Sequence, residues 1–434
     1  MKCLFFLVFF HFVLVACTDA VNTSNPKEEW DPTNNPKLMD MLHLTVTNGY
    51  NVTFDQLPLS GELETDVWAG SYWPTYQGGI TQRWAEGYGP KRYAYEIKEY
   101  DADAEASIIN LLSPAEKFDL YLGYKKLFPV LPLGGGRHYT PGGREMKMWD
   151  IYNPGWRDMV DWVGLTQYER IRTQIMKTVP DHEEYDPEFK IPTWEGLCHA
   201  WAPAAYLTKD PKGITVTGEG GVEIPFKASD LRALMTYFYH FNPAETSFLG
   251  GRCNADFSDL RFKLANGEIS KEEFDKTLEA LNCRDTNAGA FHVVLTNQIG
   301  IIGESFVADI TRDLEVWNHP IKSYESEVVE RREIENDAER IELNAAPDAV
   351  EIVQLRTKMN YVIERIASDR PSSTYPTMHT QYYQYRLELD EDGKILGGEW
   401  LQDRRPDFLW KQKRLEFTEP FLELKDLYDL AVAP

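Results

Sequence analysis

Three side chains far apart in the chain have the types that nucleophile–base chemistry needs: Cys198, His292 and Asp309. Cys198 follows Gly196 in "WEGLCHAWAPAAYL" and opens a small, Ala-rich run that can wind as a helix. A thiol becomes a nucleophile when a helix N-terminus and a nearby histidine favour its thiolate. Pro203 would distort the first turns of that helix. His199 is next in sequence but points about 100° away around a helix, so the base must come from elsewhere. His292 lies in the apolar string "AFHVVLTNQIG", read as a strand, and Asp309 lies in "ESFVADI", read as the next one. A turn near residues 300 and 301 would pair 292 with 309 on one face. Asp313 overshoots that pairing by four residues, about 13 Å at strand rise, and Asn318 overshoots further. The expected roles are Cys198 as attacker, His292 as base then acid, and Asp309 as the group that fixes the imidazole. The oxyanion donors would be the Cys198 backbone N–H and an upstream indole, with Trp73 nominated. The plainer reading stays open beside this one: a buried cysteine as core filler and a histidine as a satisfied core residue.

Five cysteines frame the thiol's status. Cys3 and Cys17 fall in or beside the leader. Pairing Cys253 with Cys283 closes a loop of about 30 residues, worth roughly 3.5–4 kcal/mol in the chain-entropy model. Cys198 is then the odd thiol of an oxidising compartment. The compartment is read from "MKCLFFLVFFHFVLVACTDA", a lysine followed by about a dozen apolar residues and then small ones, which has the form of a signal peptide. No later segment reaches the roughly 20 apolar residues that a bilayer crossing requires. Secretion to the outside or the cell wall is expected, with lipid anchoring at Cys17 if the host is bacterial. Asn22 and Asn51 head sequons usable only in a eukaryotic secretory route.

The chain has 434 residues, 43% hydrophobic and 26% charged, enough to bury a sizeable core. Its formal charge of −24 argues against nucleic acid and anionic membrane partners. Residues 21–60 are polar and Asn/Pro-rich and read as a leader or pro-segment that need not pack. Residues 61–434 read as one catalytic domain, with 1–20 as the signal. Helical patterns run over 103–123, 156–178 and 228–240, and Ser270-x-x-Glu273 is a capping box. The later strings "AFHVVLTNQIG", "ESFVADI", "AVEIVQLRTKMNYVIE" and "YYQYRLELDEDGKILGGEW" are β-branched, aromatic and punctuated by turns. Helices first and strands after predict an α+β fold, with the nucleophile helix packed on a C-terminal antiparallel sheet. The charge-rich run 325–343 reads as a solvated face.

Several strings together resemble the transglutaminase elicitor family, secreted enzymes of oomycetes with relatives in marine bacteria. They are "WAGSYWPTYQGGI", "LLSPAEKFDLYLG", "WEGLCHAWAPAA", "GAFHVVLTNQIG", "EVWNHPI", "LDEDGKILGGEW" and "RPDFLW", spread over roughly residues 66–411. "VWNHPIKSYE" resembles the family's elicitor peptide; it keeps Trp317 and Pro320 and has His319 in place of a glutamine. The resemblance implies a papain-like or transglutaminase-like cysteine core and protein-glutamine γ-glutamyltransferase activity. Cys198 would attack a glutamine carboxamide and release ammonia, and a lysine or other primary amine would resolve the thioester into an isopeptide crosslink. It also implies dependence on Ca2+, whose ligands the sequence leaves unassigned, since "LDEDGK" is too short for an EF-hand loop and reads as a hairpin turn. The alternatives are a papain-like cysteine protease or amidase, in which water resolves the thioester, and a non-catalytic surface module whose twelve tryptophans bind cell-wall polymer.

Overall fold

The structure is a computed structural model. It describes residues 30, 32–40, 49–84, 90–93, 109–123, 138–139, 145–146, 156–178, 180, 184–218, 221–242, 244–252, 257–280, 285–311, 315–368, 378–417 and 421–434. In chain order the elements are α1 (Lys37–Asp40), β1 (Ser60–Glu62), β2 (Gln82–Trp84), β3 (Pro90–Tyr93), α2 (Pro114–Tyr121), β4 (His138–Tyr139), β5 (Glu145–Met146), α3 (Trp156–Thr173), α4 (Cys198–Leu207), β6 (Ile214–Thr217), β7 (Glu223–Phe226) and α5 (Ala228–Phe241). They continue with β8 (Thr246–Gly250), α6 (Phe257–Ala265), α7 (Lys271–Ala280), α8 (Ala288–Leu295), β9 (Val307–Asp309), β10 (Asn318–Glu333), α9 (Asp337–Glu342), β11 (Glu351–Val362), β12 (Met378–Leu389), β13 (Ile395–Trp400), β14 (Phe408–Gln412) and α10 (Leu422–Ala431). The fold is α+β around a large antiparallel sheet of order β13-β12-β11-β10-β9-β14-β8, with β1 on β10.

Local chemistry explains most of these boundaries. Ser113 caps α2: its Oγ accepts from Glu116 N–H at 3.2 Å, and Glu116 Oε2 accepts from Ser113 N–H at 2.9 Å. The same box starts α7, where Glu273 N–H donates to Ser270 Oγ at 3.1 Å. The β12–β13 hairpin turns on Asp390, whose Oδ1 accepts from Asp392 N–H and Lys394 N–H, with Gly393 at φ 74°. Inside the helical layer two ion pairs are buried. Arg83 lies on Glu116, and Lys117 lies 2.5 Å from Asp230, which also accepts from Trp84 Nε1–H at 2.6 Å.

The sheet divides the apolar residues into two cores. At β9, Val307 enters one core, while Ala308 and the preceding Phe306 enter the other. On β14, Phe408 and Trp410 alternate with Leu409 in the same way. The first core holds α2, α4 and α5 through residues such as Phe118, Trp201 and Phe238; the second holds α8 through Phe291, Val294 and Leu295. Each such side chain contributes about 1.5–3 kcal/mol by burial. Tyr50, Phe54 and Leu57 also enter the second core, although they lie within residues 21–60, where the composition predicts little packing. Asn51 N–H donates to Asn297 Oδ1 at 2.9 Å and helps fix that segment.

The string "AFHVVLTNQIG" departs from its expected strand. It forms α8 and then a π-helical stretch, Thr296–Ile302. Asn287 caps α8, accepting from Gly289 N–H at 2.9 Å and Ala290 N–H at 3.3 Å. All eight residues of α8 are buried, so the segment is apolar all round and carries no amphipathic period to separate helix from strand. Gly289 lets the helix lie on β13, because a Cβ there would stand 2.4 Å from Gly397 O.

Candidate active site

A backbone clasp holds the start of α4. Leu197 N–H donates to Tyr72 O at 2.5 Å, and Thr75 N–H donates to Glu195 O at 2.9 Å. A Cβ at Gly196 would stand 2.4 Å from Tyr72 O, so glycine is needed for this close approach. Leu197 O then accepts from Ala200 N–H and Trp201 N–H, and the helix runs on through Pro203. Cys198 is the first residue of the helix, 6% exposed and a free thiol. His199 turns away, as helix geometry predicts, and its Nε2 meets His240 Nδ1 at 2.8 Å.

The sulfur of Cys198 faces the start of β10. It lies 3.5 Å from Val316 O and 3.4 Å from Asn318 Nδ2. Asn318 is itself fixed, because its Oδ1 accepts from Trp410 Nε1–H at 2.7 Å. The Asn318 N–H2 therefore points at the sulfur without ambiguity of flip. Asp309 on β9 is the cross-strand partner of Asn318. Its Oδ1 accepts from Thr311 N–H at 3.1 Å, Thr311 Oγ1–H at 3.0 Å and Trp317 N–H at 3.4 Å.

A second carboxyl completes the setting. Glu364 follows β11, and its side chain is 9% exposed. Its Oε2 stands 3.4 Å from His319 Nδ1, which also lies 3.2 Å from Val362 O. Its Oε1 is buried without a hydrogen-bond partner. Burial pushes the Glu364 acid up to about 8, and Asp309 adds to that push. Burial also pushes the Cys198 thiol up to about 11; the Glu364 carboxylate adds to this and the Asn318 hydrogen bond opposes it. Tyr72 is raised to about 12, by burial first and then by Tyr76, Glu364 and Cys198. The rings of Tyr72 and Trp317 meet edge-on at 5.6 Å, and both are half-buried.

Cys198 and Asp309 thus come to the same face of the sheet, but His292 does not join them. The expected pairing of 292 with 309 fails because 292 is on a helix and Asn318 takes the place opposite Asp309. His292 packs in the second core, with Nδ1 2.8 Å from the Tyr385 hydroxyl and its ring 5.8 Å from that of Phe54. Tyr385 in turn meets Thr357 Oγ1 at 2.8 Å. The residues flanking His292 lie in the second core and those flanking Cys198 in the first, with the sheet between them. Burial lowers the His292 imidazole to about 3. Trp73 packs edge-on against Trp84 at 5.8 Å in the first core, and its buried Nε1 has no partner.

Asn318, Trp410 and Glu364 are the site residues that sequence reasoning missed. Asn318 overshoots the expected pairing of 292 with 309, but that pairing does not form, and Asn318 itself stands opposite Asp309. Glu364 leaves a usable trace, a carboxylate two residues beyond the alternating run of β11. Cys253 and Cys283 lie outside the described residues. Among the described residues no cluster of three or more His, Cys, Asp or Glu side chains could hold a metal ion, so calcium is given no step. No helix among them is long and apolar enough to cross a membrane.

The site can present a sulfur at a helix start to an electrophilic carbonyl, with an amide donor and two carboxyl groups around it. Comparison with known proteins places the chain in a family. The family model described as transglutaminase elicitor matches residues 180–418, a span that holds Cys198, Asp309, Asn318, Glu364 and Trp410. No curated protein matches. The crystal structure of the GP42 transglutaminase from Phytophthora sojae is similar in fold, with a TM-score of 0.57 and 22% identity, covering 92% of this chain and 98% of that one. With its family model covering more than half of its length and its fold shared with a solved transglutaminase, the chain belongs to the transglutaminase elicitor family.

Proposed function

We propose that the chain is a secreted protein-glutamine γ-glutamyltransferase with Cys198 as nucleophile. The observation that carries this is the placement of the free Cys198 sulfur at the first residue of α4, 3.4 Å from an Asn318 amide that Trp410 locks in orientation. In the first half-reaction sulfur adds to a glutamine carboxamide carbon. The oxyanion is met by the Cys198 N–H, one of the helix's unused donors, and by Asn318 Nδ2–H. Asp309, opposite Asn318, accepts the thiol proton and returns it to the departing nitrogen, which leaves as ammonia. A thioester remains. A lysine or other primary amine then displaces sulfur and forms the isopeptide bond.

His292 has no part in this scheme. Its place in the second core, hydrogen-bonded to Tyr385, supports a packing role. The papain-like character of the core and export by the N-terminal leader belong to the same proposal.

The test mixes the protein with a glutamine-rich acceptor protein, a labelled primary amine and calcium. Amine incorporation with ammonia release, both lost in Cys198→Ala, is the expected result. Peptide cleavage without amine incorporation would assign the thiol to a protease.

A further inference from the structure

We propose that Glu364 is the recognition group for the amine acceptor: it holds the ammonium of a lysine-type substrate beside Cys198 and takes a proton from it. This rests on the acyl-transfer reading of Cys198 and names the substrate class of the second half-reaction.

Glu364 is nine-tenths buried, and its Oε1 is without a partner. A buried carboxyl in that state lacks the counter-charge that would offset its desolvation. Among the described residues, the groups that interact with it supply none. His319 is held neutral, lowered to about 4 chiefly by burial. Asp309, Tyr72, Tyr361 and Cys198 are neutral or anionic in kind. A mobile cation is the missing element, and the acyl-transfer reaction brings one on each turnover.

The approach suits an alkylammonium. Tyr72 and Trp317 stand edge-on to each other and half exposed. The Tyr72 carbonyl clasps the residue before Cys198, and Trp317 lies between Val316 and Asn318, the two residues that touch the sulfur. Aromatic faces favour a cation on an apolar stem. The chain's formal charge of −24 also draws basic partners.

The step balances. The Glu364 carboxylate, ionised as the ammonium's charge approaches, takes one proton from R–NH3+, leaving R–NH2 and the neutral acid, which gives that proton up to solvent before the next turnover. The amine nitrogen adds to the thioester carbon and the C–S bond breaks. The second nitrogen proton goes to the departing sulfur, giving the amide and the Cys198 thiol. An acid raised to about 8 is mostly protonated at pH 7 in the resting protein; the arriving ammonium charge favours its ionised form, and the exchange strengthens as pH rises toward 8.

The experiment compares two acceptors at pH 7 on one glutamine dipeptide donor. Labelled cadaverine is cationic there, and hydroxylamine is uncharged. The quantity read is the ratio of kcat/KM for cadaverine to that for hydroxylamine. A hydrogen bond to a charged group is worth a factor of roughly 10–100. The ratio should therefore fall about 10- to 100-fold in Glu364→Gln and recover in part in Glu364→Asp. An unchanged ratio, or loss of both acceptors alike in a folded Glu364→Gln protein, overturns the assignment. The underlying reading fails differently: wild-type protein would make no hydroxamate, or Cys198→Ala would still make it, and the acceptor assignment falls with it.

Discussion

Raising the pH on the resting protein tests how sulfur is held. Burial moves the Cys198 thiol from its ordinary 9.0 up to about 11. Two pH units are a factor of about 100 in thiolate fraction. Alkylation of Cys198 by iodoacetamide at pH 7.5 should then run about 100-fold slower than that of an unhindered thiol, with restricted access slowing it further. The rate should climb tenfold per pH unit and level only near pH 11, with Cys198→Ser as background. The same shift enters stability. The folded chain keeps a proton that the unfolded chain releases between about pH 9 and 11. The contribution is therefore fully present below pH 9 and is lost as pH rises through 11, about 3 kcal/mol in all. Asn318→Ala removes the donor that favours the thiolate and should move the midpoint upward, while Glu364→Gln should move it downward. An alkylation midpoint below pH 8 in the resting enzyme would refute this picture, because some positive group near the sulfur would then outweigh burial.

Two further substitutions separate position from chemistry. His292→Gln should keep amine incorporation within about threefold while lowering the urea midpoint by the equivalent of about 1–3 kcal/mol; loss of a true general base costs about 10²–10⁴ in rate, and a drop of that size in a folded variant would return His292 to the reaction. Gly196→Ala puts a Cβ 2.4 Å from Tyr72 O and must open the clasp before Cys198. Transfer measured with saturating donor should fall by about 10²-fold, the cost of an ångström-scale misplacement, and near wild-type turnover would show that the clasp is dispensable.

The parts of the fold that follow short-range rules were legible from residues alone. Ser270 with Glu273 marks the start of α7, the Asp-Gly pair at 392–393 marks the β12–β13 turn, and alternation over 351–362 marks β11. Cys198 at a helix start and Asp309 at a strand end were legible for the same reason. The position of His292 was not. Its segment is apolar on every side, so the helix is distinguished only by the Asn287 cap and by packing against Gly397, a contact 108 residues away in the chain. Asn318 and Glu364 come to the sulfur's side of the sheet through the β9–β10 and β10–β11 registers, the second of which carries two register shifts. No local pattern encodes that convergence.

The hydrogen-bonded wall formed by β9, β10 and β14 also insulates one half of the protein from the other. Cys198 and its neighbours occupy one side, and α8 with its aromatic neighbours occupies the reverse. Changes on the reverse side share no contacts with the sulfur, so their energetic effects should sum independently with changes around it. Such a layout gives a lineage freedom to retune thermal tolerance in one compartment while leaving the reaction centre intact.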